Sequence, residues 1–213
     1  NELPKSVRRV FRMKSRILPM KFYQRDTARV ARELIGMKLV RNFEGKRMSG
    51  IIVETEAYLG QIDAAAHTFQ GRRTERVRSM YLPGGHVYVY LIYGMYHCLN
   101  VVTRKEGEPE AVLIRAVEPC EGIAERTDGP GRLCNALRID KKIDGENLDG
   151  AIIFIEKGEA RPLPEEIEAG PRIGVDYAGD AASWPLRFSW RGNAFVSRPP
   201  KRPKKASLKK GKK

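Results

Sequence analysis

The chain has 213 residues, 41% hydrophobic and 31% charged, with 40 Lys and Arg against 26 Asp and Glu for a formal net charge of +14. That balance is globular and suits one sizeable domain; it excludes a disordered chain, and no apolar run approaches the roughly 20 residues of a membrane span. The basic N-terminus lacks the apolar stretch of a signal peptide, and three cysteines (Cys98, Cys120, Cys134) without a CxxC pair suit a reducing compartment, as buried small hydrophobes or inert thiols.

The charge is concentrated at the ends. Residues 1–16 are net +5 and residues 198–213 net +9, so the body, 17–197, holds 25 basic and 25 acidic residues, with 17–139 at +4 and 140–197 at −4. The expected organisation is a basic arm over 1–16, one folded domain over 17–197 and a basic disordered tail over 198–213. The chemical partner of such arms is a polyanion. Neutralising phosphates releases counterions and gives sequence-independent, salt-sensitive affinity for nucleic acid.

In chain order, "DTARVARELIGMKLVRN" predicts a helix with Asp26 as N-cap, apolar positions at Ala28, Val30, Ala31, Leu34 and Ile35, and a stop at Gly36. "KLVRNFEGKRMSGIIVETEAY" predicts a hairpin around Gly45, and "HVYVYLIYGMYHCLNVVT" a stronger one turning near Gly94. "AVLIRAVEP" reads as a strand, "PGRLCNALRI" as a helix and "GAIIFIEKG" as a strand. "EIEAGPRIGVDYAGDAASWPLRFSW" reads as turns until its last strand. No repeat is visible. The predicted fold is α+β, a single compact domain around a mostly antiparallel, curved sheet with a protruding β-hairpin, flanked by helices.

Two features of these elements call for chemistry. If the strand from Ile51 persists, Ile52, Glu54, Glu56 and Tyr58 share one face, and acids on an apolar face need a partner or a task. Pairing with arginine is the ordinary answer, though Glu56, at the strand end beside an aromatic, has the character of a site residue. The second hairpin carries Tyr88, Tyr90, Tyr93 and Tyr96. Tyrosines in a strand are usually core, but Tyr93, next to Gly94, falls at the tip, where a core residue has no neighbours and a wedge between stacked bases would stand. In "GRRTERVRS", Arg72, Arg73, Arg76 and Arg78, joined by Arg104 and the Thr74 hydroxyl, make a set suited either to phosphates or to a solvated loop.

Together "VETEAYLG", "DAAAHTFQGRRT", "YVYLIYGMYHCLNV", "VLIRAVEP", "GPGRLCNAL" and "PRIGVDYAG" through "PLRF" resemble the alkyladenine DNA glycosylase family, 3-methyladenine DNA glycosylases of the AAG type. The likeness runs in order from about residue 22 to 197 and leaves both arms outside. It implies a monofunctional base-excision enzyme that flips damaged purines, of the 3-methyladenine, 7-methylguanine, hypoxanthine and ethenoadenine class, out of duplex DNA and hydrolyses the N-glycosidic bond. In that pattern Glu56 matches the general base, Arg115 and the Ile173 backbone carbonyl match supports of the attacking water, and Glu54 is supporting or structural. Tyr58, His67, Tyr90 and Leu113 match the base pocket, and Asn100 matches the residue that crowds the amino group of guanine. Aromatic walls favour cationic alkylated bases through cation–π attraction. Tyr93 matches the intercalating wedge, and Arg72, Thr74, Met95 and Tyr96 match backbone or groove contacts.

His97 departs from the family pattern, standing where an aromatic or apolar residue is commoner. Sulfur and histidine do not converge at zinc-ligand spacing, so no metal or other cofactor is expected, and no lysine in the matched motifs suggests a Schiff-base lyase. The expected partner is double-stranded DNA with damaged purines, met by a monomer and away from membranes. The compartment would be the cytoplasm and nucleoid in a bacterium or archaeon, or the nucleus in a eukaryote. Two other classes stay open: a basic nucleic-acid-binding module without catalysis, which Glu56 argues against, and a carbohydrate hydrolase using Glu54 and Glu56 as its acid pair.

Overall fold

In the computed structural model, residues 16–150, 152–159 and 161–197 are described; the expected C-terminal tail and the arm up to residue 15 lie outside them. The run KRMSGIIVETEAY forms one 13-residue strand, β2 (Lys46–Tyr58), rich enough in β-branched residues to be covered on both faces along most of its length. It follows β1 (Lys38–Phe43) through a turn in which Glu44 and Gly45 both take positive φ, 49° and 73°, as a two-residue hairpin requires. β5 (Glu110–Glu121) lies along one edge of β2. The other edge is shared, with β1 on residues 46–51 and β8 (Arg187–Trp190) on residues 54–56.

With β3 (Val87–Ile92), β4 (Tyr96–Thr103), β6 (Ile153–Glu156) and β7 (Ile167–Gly170), the strands make one sheet in the order β3-β4-β5-β2-β1-β6, β8 bridging β2 and β7. All its strand pairings are antiparallel, as expected, but β7 is a strand where turns were predicted. Ile167–Gly170 alternates too weakly to announce itself and is a strand because it pairs with β8. Arg16 to Leu18 run beside β6.

Among the described residues the α-helices are three and short: α1 (Met20–Tyr23), α2 (Thr27–Glu33) and α3 (Pro130–Ala136). Asp26 caps α2 through the Arg29 N–H at 2.9 Å, and the chain turns away at Gly36 with φ 85°, as the sequence predicted. Val30, Ala31 and Leu34 in and after α2, and Leu133, Cys134 and Leu137 in and after α3, join Val87, Val89, Leu99, Val101, Val112 and Ile114 in the main core. Tyr88, Val102 and Ala111 fall in a separate cluster. Strand alternation thus splits β3, β4 and β5 as far as Ile114, odd positions of β3 and β4 and even positions of β5 toward the helices, the others toward a second face.

On β2 the alternation is broken. Ile52 and Ala57 both belong to the main core, a parity that no unbroken strand allows, so the expectation that Ile52 shares a face with Glu54 and Glu56 is corrected. The cause is a pair of compensating register shifts: Val53 is skipped between the pairs Ile52↔Val117 and Glu54↔Ala116, and Arg115 between Glu54↔Ala116 and Thr55↔Ile114. A bulge on each strand restores the register while turning Glu54, Glu56 and Tyr58 together to the second face. Of the cysteines, Cys98 and Cys134 are buried, whereas Cys120, near the end of β5, is exposed, correcting its reading as a buried hydrophobe.

Gly50 sets the spacing between β2 and β5. A Cβ there would lie 2.8 Å from both the Glu118 carbonyl oxygen and the Val117 Cγ2. Replacing Gly50 with Ala should therefore destabilise the fold by about 1–3 kcal/mol with an unchanged denaturant slope, measured by urea unfolding.

Candidate active site

The second face of the sheet forms the back of a cavity of about 200 Å³, smaller than the roughly 300–1,000 Å³ of drug-sized sites and so fitted to a single flat ring system. Tyr88, Tyr90 and Ile92 from β3, Cys98 and Asn100 from β4, Ala111, Leu113 and Arg115 from β5, and Tyr58 from β2 line it. Two irregular segments close it: residues 60–81, a succession of 3-10 turns bringing Ala65 and His67, and residues 173–177.

Behind this lining, both carboxylates are fully enclosed, at 0% exposure. Glu56 Oε2 accepts from the Tyr58 hydroxyl at 2.9 Å and from Arg115 Nη1 at 3.2 Å, and its Oε1 accepts from the Ile173 backbone N–H at 2.7 Å. Glu54 Oε1 accepts from Arg115 Nε at 3.3 Å and Arg187 Nη1 at 2.9 Å, and its Oε2 from the Ser197 N–H at 2.8 Å. Arg115 therefore bridges the two acids. Burial alone would lower its pKa, but Glu56 and Glu54 more than reverse this and hold it above its ordinary value. Burial, then the adjacent Glu56, pushes the Tyr58 phenol well above its usual range, which keeps it a donor.

The aromatic wall is built on His67. Its ring stands edge-on to Tyr90 at 4.6 Å and Nδ1 lies 2.9 Å from the Tyr88 hydroxyl, while Tyr88 and Tyr90 stack at 5.4 Å. With the phenol as donor, Nδ1 accepts and Nε2 carries the proton. Burial, reinforced by Arg76 and Arg72, pulls the His67 pKa down to about 4, so the ring is neutral at neutral pH. Asn100 is fixed by donating from Nδ2 to the Tyr88 carbonyl at 3.1 Å.

The hairpin between β3 and β4 carries the other predicted residues. Tyr93 is 83% exposed at its tip with φ 53°, followed by Gly94 at 69°, and Met95 N–H closes the turn on the Ile92 carbonyl at 3.2 Å. Positive φ on a bulky residue costs about 1–2 kcal/mol and marks a position that the surroundings enforce. Met95 is exposed, and Tyr96 rests so closely on α3 that a Cβ on Gly131 would meet its ring at 3.0 Å. Thr74 lines a separate shallow groove with Arg73 and Arg78. Arg72 lies near enough to act on His67, while Arg73 covers the Tyr81 ring at 4.1 Å and Arg76 the Tyr90 ring at 5.5 Å. Arg104 does not belong with them, because it pairs with Glu110 and Asp26.

The structure thus brings Glu56, Arg115, Ile173, Tyr58, His67, Tyr90, Asn100 and Leu113 to one cavity and its rear wall, with Tyr93 at the mouth. It also reveals a pair that sequence reasoning missed. Arg172 and Asp63 are both buried and doubly hydrogen-bonded; Arg172 also donates to the Ala57 and Ala181 carbonyls and lies 4.7 Å from the Tyr58 ring centroid. Asp63 in turn accepts from the Leu59 and Ala65 N–H groups. The pair ties segment 60–67 to segment 172–181 and seats Tyr58. Its only sequence signal was its place inside two of the quoted motifs.

Comparison with known proteins points to one family. The Methylpurine-DNA glycosylase (MPG) family profile matches residues 21–194. A protein of Bacillus cereus strain B4264 is 47% identical over 201 residues, covering 84% of this chain and 98% of the relative, and one of Bdellovibrio bacteriovorus is 49% identical over 190 residues, covering 85% and 99%. Both bear the name "Putative 3-methyladenine DNA glycosylase". The fold and the match over most of its length define a DNA-repair glycosylase. The chain belongs to the methylpurine-DNA glycosylase family.

The depressed pKa of His67 links the site to stability. A histidine held neutral in the fold contributes stability that is fully present above its unfolded value of about 6.5 and is lost as pH falls toward about 4, because the unfolded chain binds the proton first. Substituting Gln for His67 should flatten the loss of unfolding free energy between pH 6.5 and 4, measured by urea denaturation across that range.

Proposed function

We propose that the chain flips an alkylated or deaminated purine out of duplex DNA into the aromatic cavity and hydrolyses its N-glycosidic bond by a water that Glu56 deprotonates. The observation that carries this is the enclosed carboxylate at the rear of a ring-sized cavity, held by three donors from three separate segments. With its orientation fixed by Tyr58, Arg115 and the Ile173 N–H, Glu56 would keep a lone pair for a water that reaches it past the cavity lining. The water oxygen bonds to C1′, the C1′–N bond breaks with its electrons leaving on the base, and Glu56 takes the water proton; the product is an abasic site.

The local charge suits that course. Arg187 reaches Glu54 alone, so the cation at Glu56 is Arg115, shared with Glu54, and the Glu56 carboxylate would favour a developing oxocarbenium ion. A cationic alkylated purine would be held by Tyr58 and Tyr90 through cation–π attraction, with neutral His67 presenting a donor at Nε2. Asn100, fixed by Tyr88, would crowd the amino group of guanine. Tyr93 would fill the gap left by the flipped nucleotide, with Arg72, Thr74, Met95 and Tyr96 on the backbone and groove and the basic ends on phosphates further out.

No lysine lines the cavity among the described residues, which supports hydrolysis without a lyase step. No cofactor is invoked. The protein would act as a monomer on DNA, in the nucleoid if its source is bacterial like the relatives named above. A two-carboxylate carbohydrate mechanism is disfavoured, because both oxygens of Glu54 are engaged, one by Arg115 and Arg187 and the other by the Ser197 N–H.

Glu56→Gln should reduce single-turnover excision from a duplex containing 3-methyladenine or hypoxanthine by about 10² to 10⁴-fold and leave duplex affinity unchanged or tighter, since a negative charge is removed near phosphates. Excision within tenfold of the parent would remove Glu56 from the general-base role. Tyr93→Ser should weaken binding to a lesion duplex and lower the flipped population, read by 2-aminopurine fluorescence beside the lesion, while the melting temperature stays put because the side chain has almost no core contact. A large fall in melting temperature would identify Tyr93 as a packing residue instead.

A further inference from the structure

The mouth of the cavity carries a second exposed aromatic. Tyr177, on the 3-10 stretch Asp176–Ser183, is 72% exposed, lines the cavity, and belongs to none of the core clusters of the described residues. An isolated exposed aromatic is unremarkable; this one is held in place. Its hydroxyl donates to the Ala65 carbonyl at 3.3 Å, a group of the opposite cavity segment. On either side of it, Val175, Ala178 and Ala181 are buried against Ala65, and Arg172 donates to the Ala181 carbonyl at 3.1 Å. The ring is tethered at its far end and anchored at its base, yet most of its surface is open.

The position of the segment says what the ring faces. Ile173, whose N–H holds Glu56, lies four residues before Tyr177, so the chain from 173 to 177 runs from the buried carboxylate out to the mouth. If Glu56 directs water to C1′, the sugar of the flipped nucleotide lies along that stretch, with its base deeper in the cavity. Tyr93 and Tyr177 line the same cavity from two elements, and Tyr93 contributes to the electrostatic surroundings of the Tyr177 phenol.

We infer that Tyr177 is a binding residue for the reaction: its ring packs against the deoxyribose of the flipped nucleotide. The inference rests on the glycosylase reading. A sugar contact through C–H groups on an aromatic face is independent of base identity, so it holds the extrahelical nucleotide whichever lesion it carries. Because the hydroxyl is already engaged, little side-chain freedom is lost on binding.

The test compares Tyr177→Ala and Tyr177→Phe with the parent chain on three duplexes: one with hypoxanthine, one with a tetrahydrofuran abasic analogue, and one undamaged. Tyr177→Ala should keep the parent melting temperature, weaken binding to the hypoxanthine and tetrahydrofuran duplexes by about five- to tenfold, and leave the undamaged duplex unaffected. Tyr177→Phe, which keeps the ring, should stay within about twofold on all three. Parent-like affinity of Tyr177→Ala on every duplex overturns the inference. So does a loss confined to hypoxanthine, which would place the ring on the base, or an equal loss on undamaged DNA, which would make it a general surface contact. A lowered melting temperature in both variants would make Tyr177 a structural prop and likewise overturn it. Excision of hypoxanthine by the parent separates the two readings: no release in that lane defeats the glycosylase reading, whereas release with a parent-like Tyr177→Ala defeats only the contact argued here.

Discussion

Arg115 joining Glu54 and Glu56 in the buried seam between β2 and β5 is the interaction on which the rest of the structure depends. Two fully enclosed carboxylates two residues apart are tolerable only with compensating charge and hydrogen bonds, since removing one partner of a buried pair costs about 3–5 kcal/mol. Arg115 supplies the first cation from a bulge on β5, Arg187 the second from β8, and the N–H groups of Ile173 and Ser197 occupy the remaining oxygens. Meeting these demands pulls five segments far apart in sequence to one point. The arrangement that could orient a water is therefore also the arrangement that closes the fold.

A second buried pair repeats the logic one layer out. Asp63 and Arg172 bind each other and four backbone groups besides, so two loops with little regular structure acquire fixed positions. The sheet supplies a rigid back wall, and its helix-facing side carries most of the apolar core. Chemistry and stability thus occupy opposite faces of the same strands, with the β2 bulge marking where one strand passes between the two duties.

How far this was legible in the sequence depended on range. Asp26 starts a helix by a local cap and Gly36 ends it by its positive φ, and the Glu44–Gly45 and Tyr93–Gly94 turns interrupt apolar runs, so α2 and both hairpins could be read from neighbours alone. Family-like motifs then named residues that do converge on one cavity. The bulge at Val53 was invisible, because Ile51, Ile52 and Val53 form an unbroken apolar run in which a slip of one residue leaves no break in the pattern. β7 was missed because its strand character comes from pairing with β8, and the Asp63–Arg172 pair because 109 residues separate its members. Arg104 and Cys120 were misplaced for a related reason: composition says how many arginines and cysteines there are, while their environment is set by which strand end they fall on.

The left-handed turn at Tyr93 and Gly94 has a thermodynamic meaning of its own. Both residues hold positive φ before anything is bound, enforced by the paired strands beneath them. The unfavourable backbone conformation and the lost freedom of the tip are therefore settled during folding and are common to the free and bound states. Whatever the exposed ring meets, its encounter begins from a pre-organised projection, and the free energy of contact is not diminished by ordering the loop that carries it.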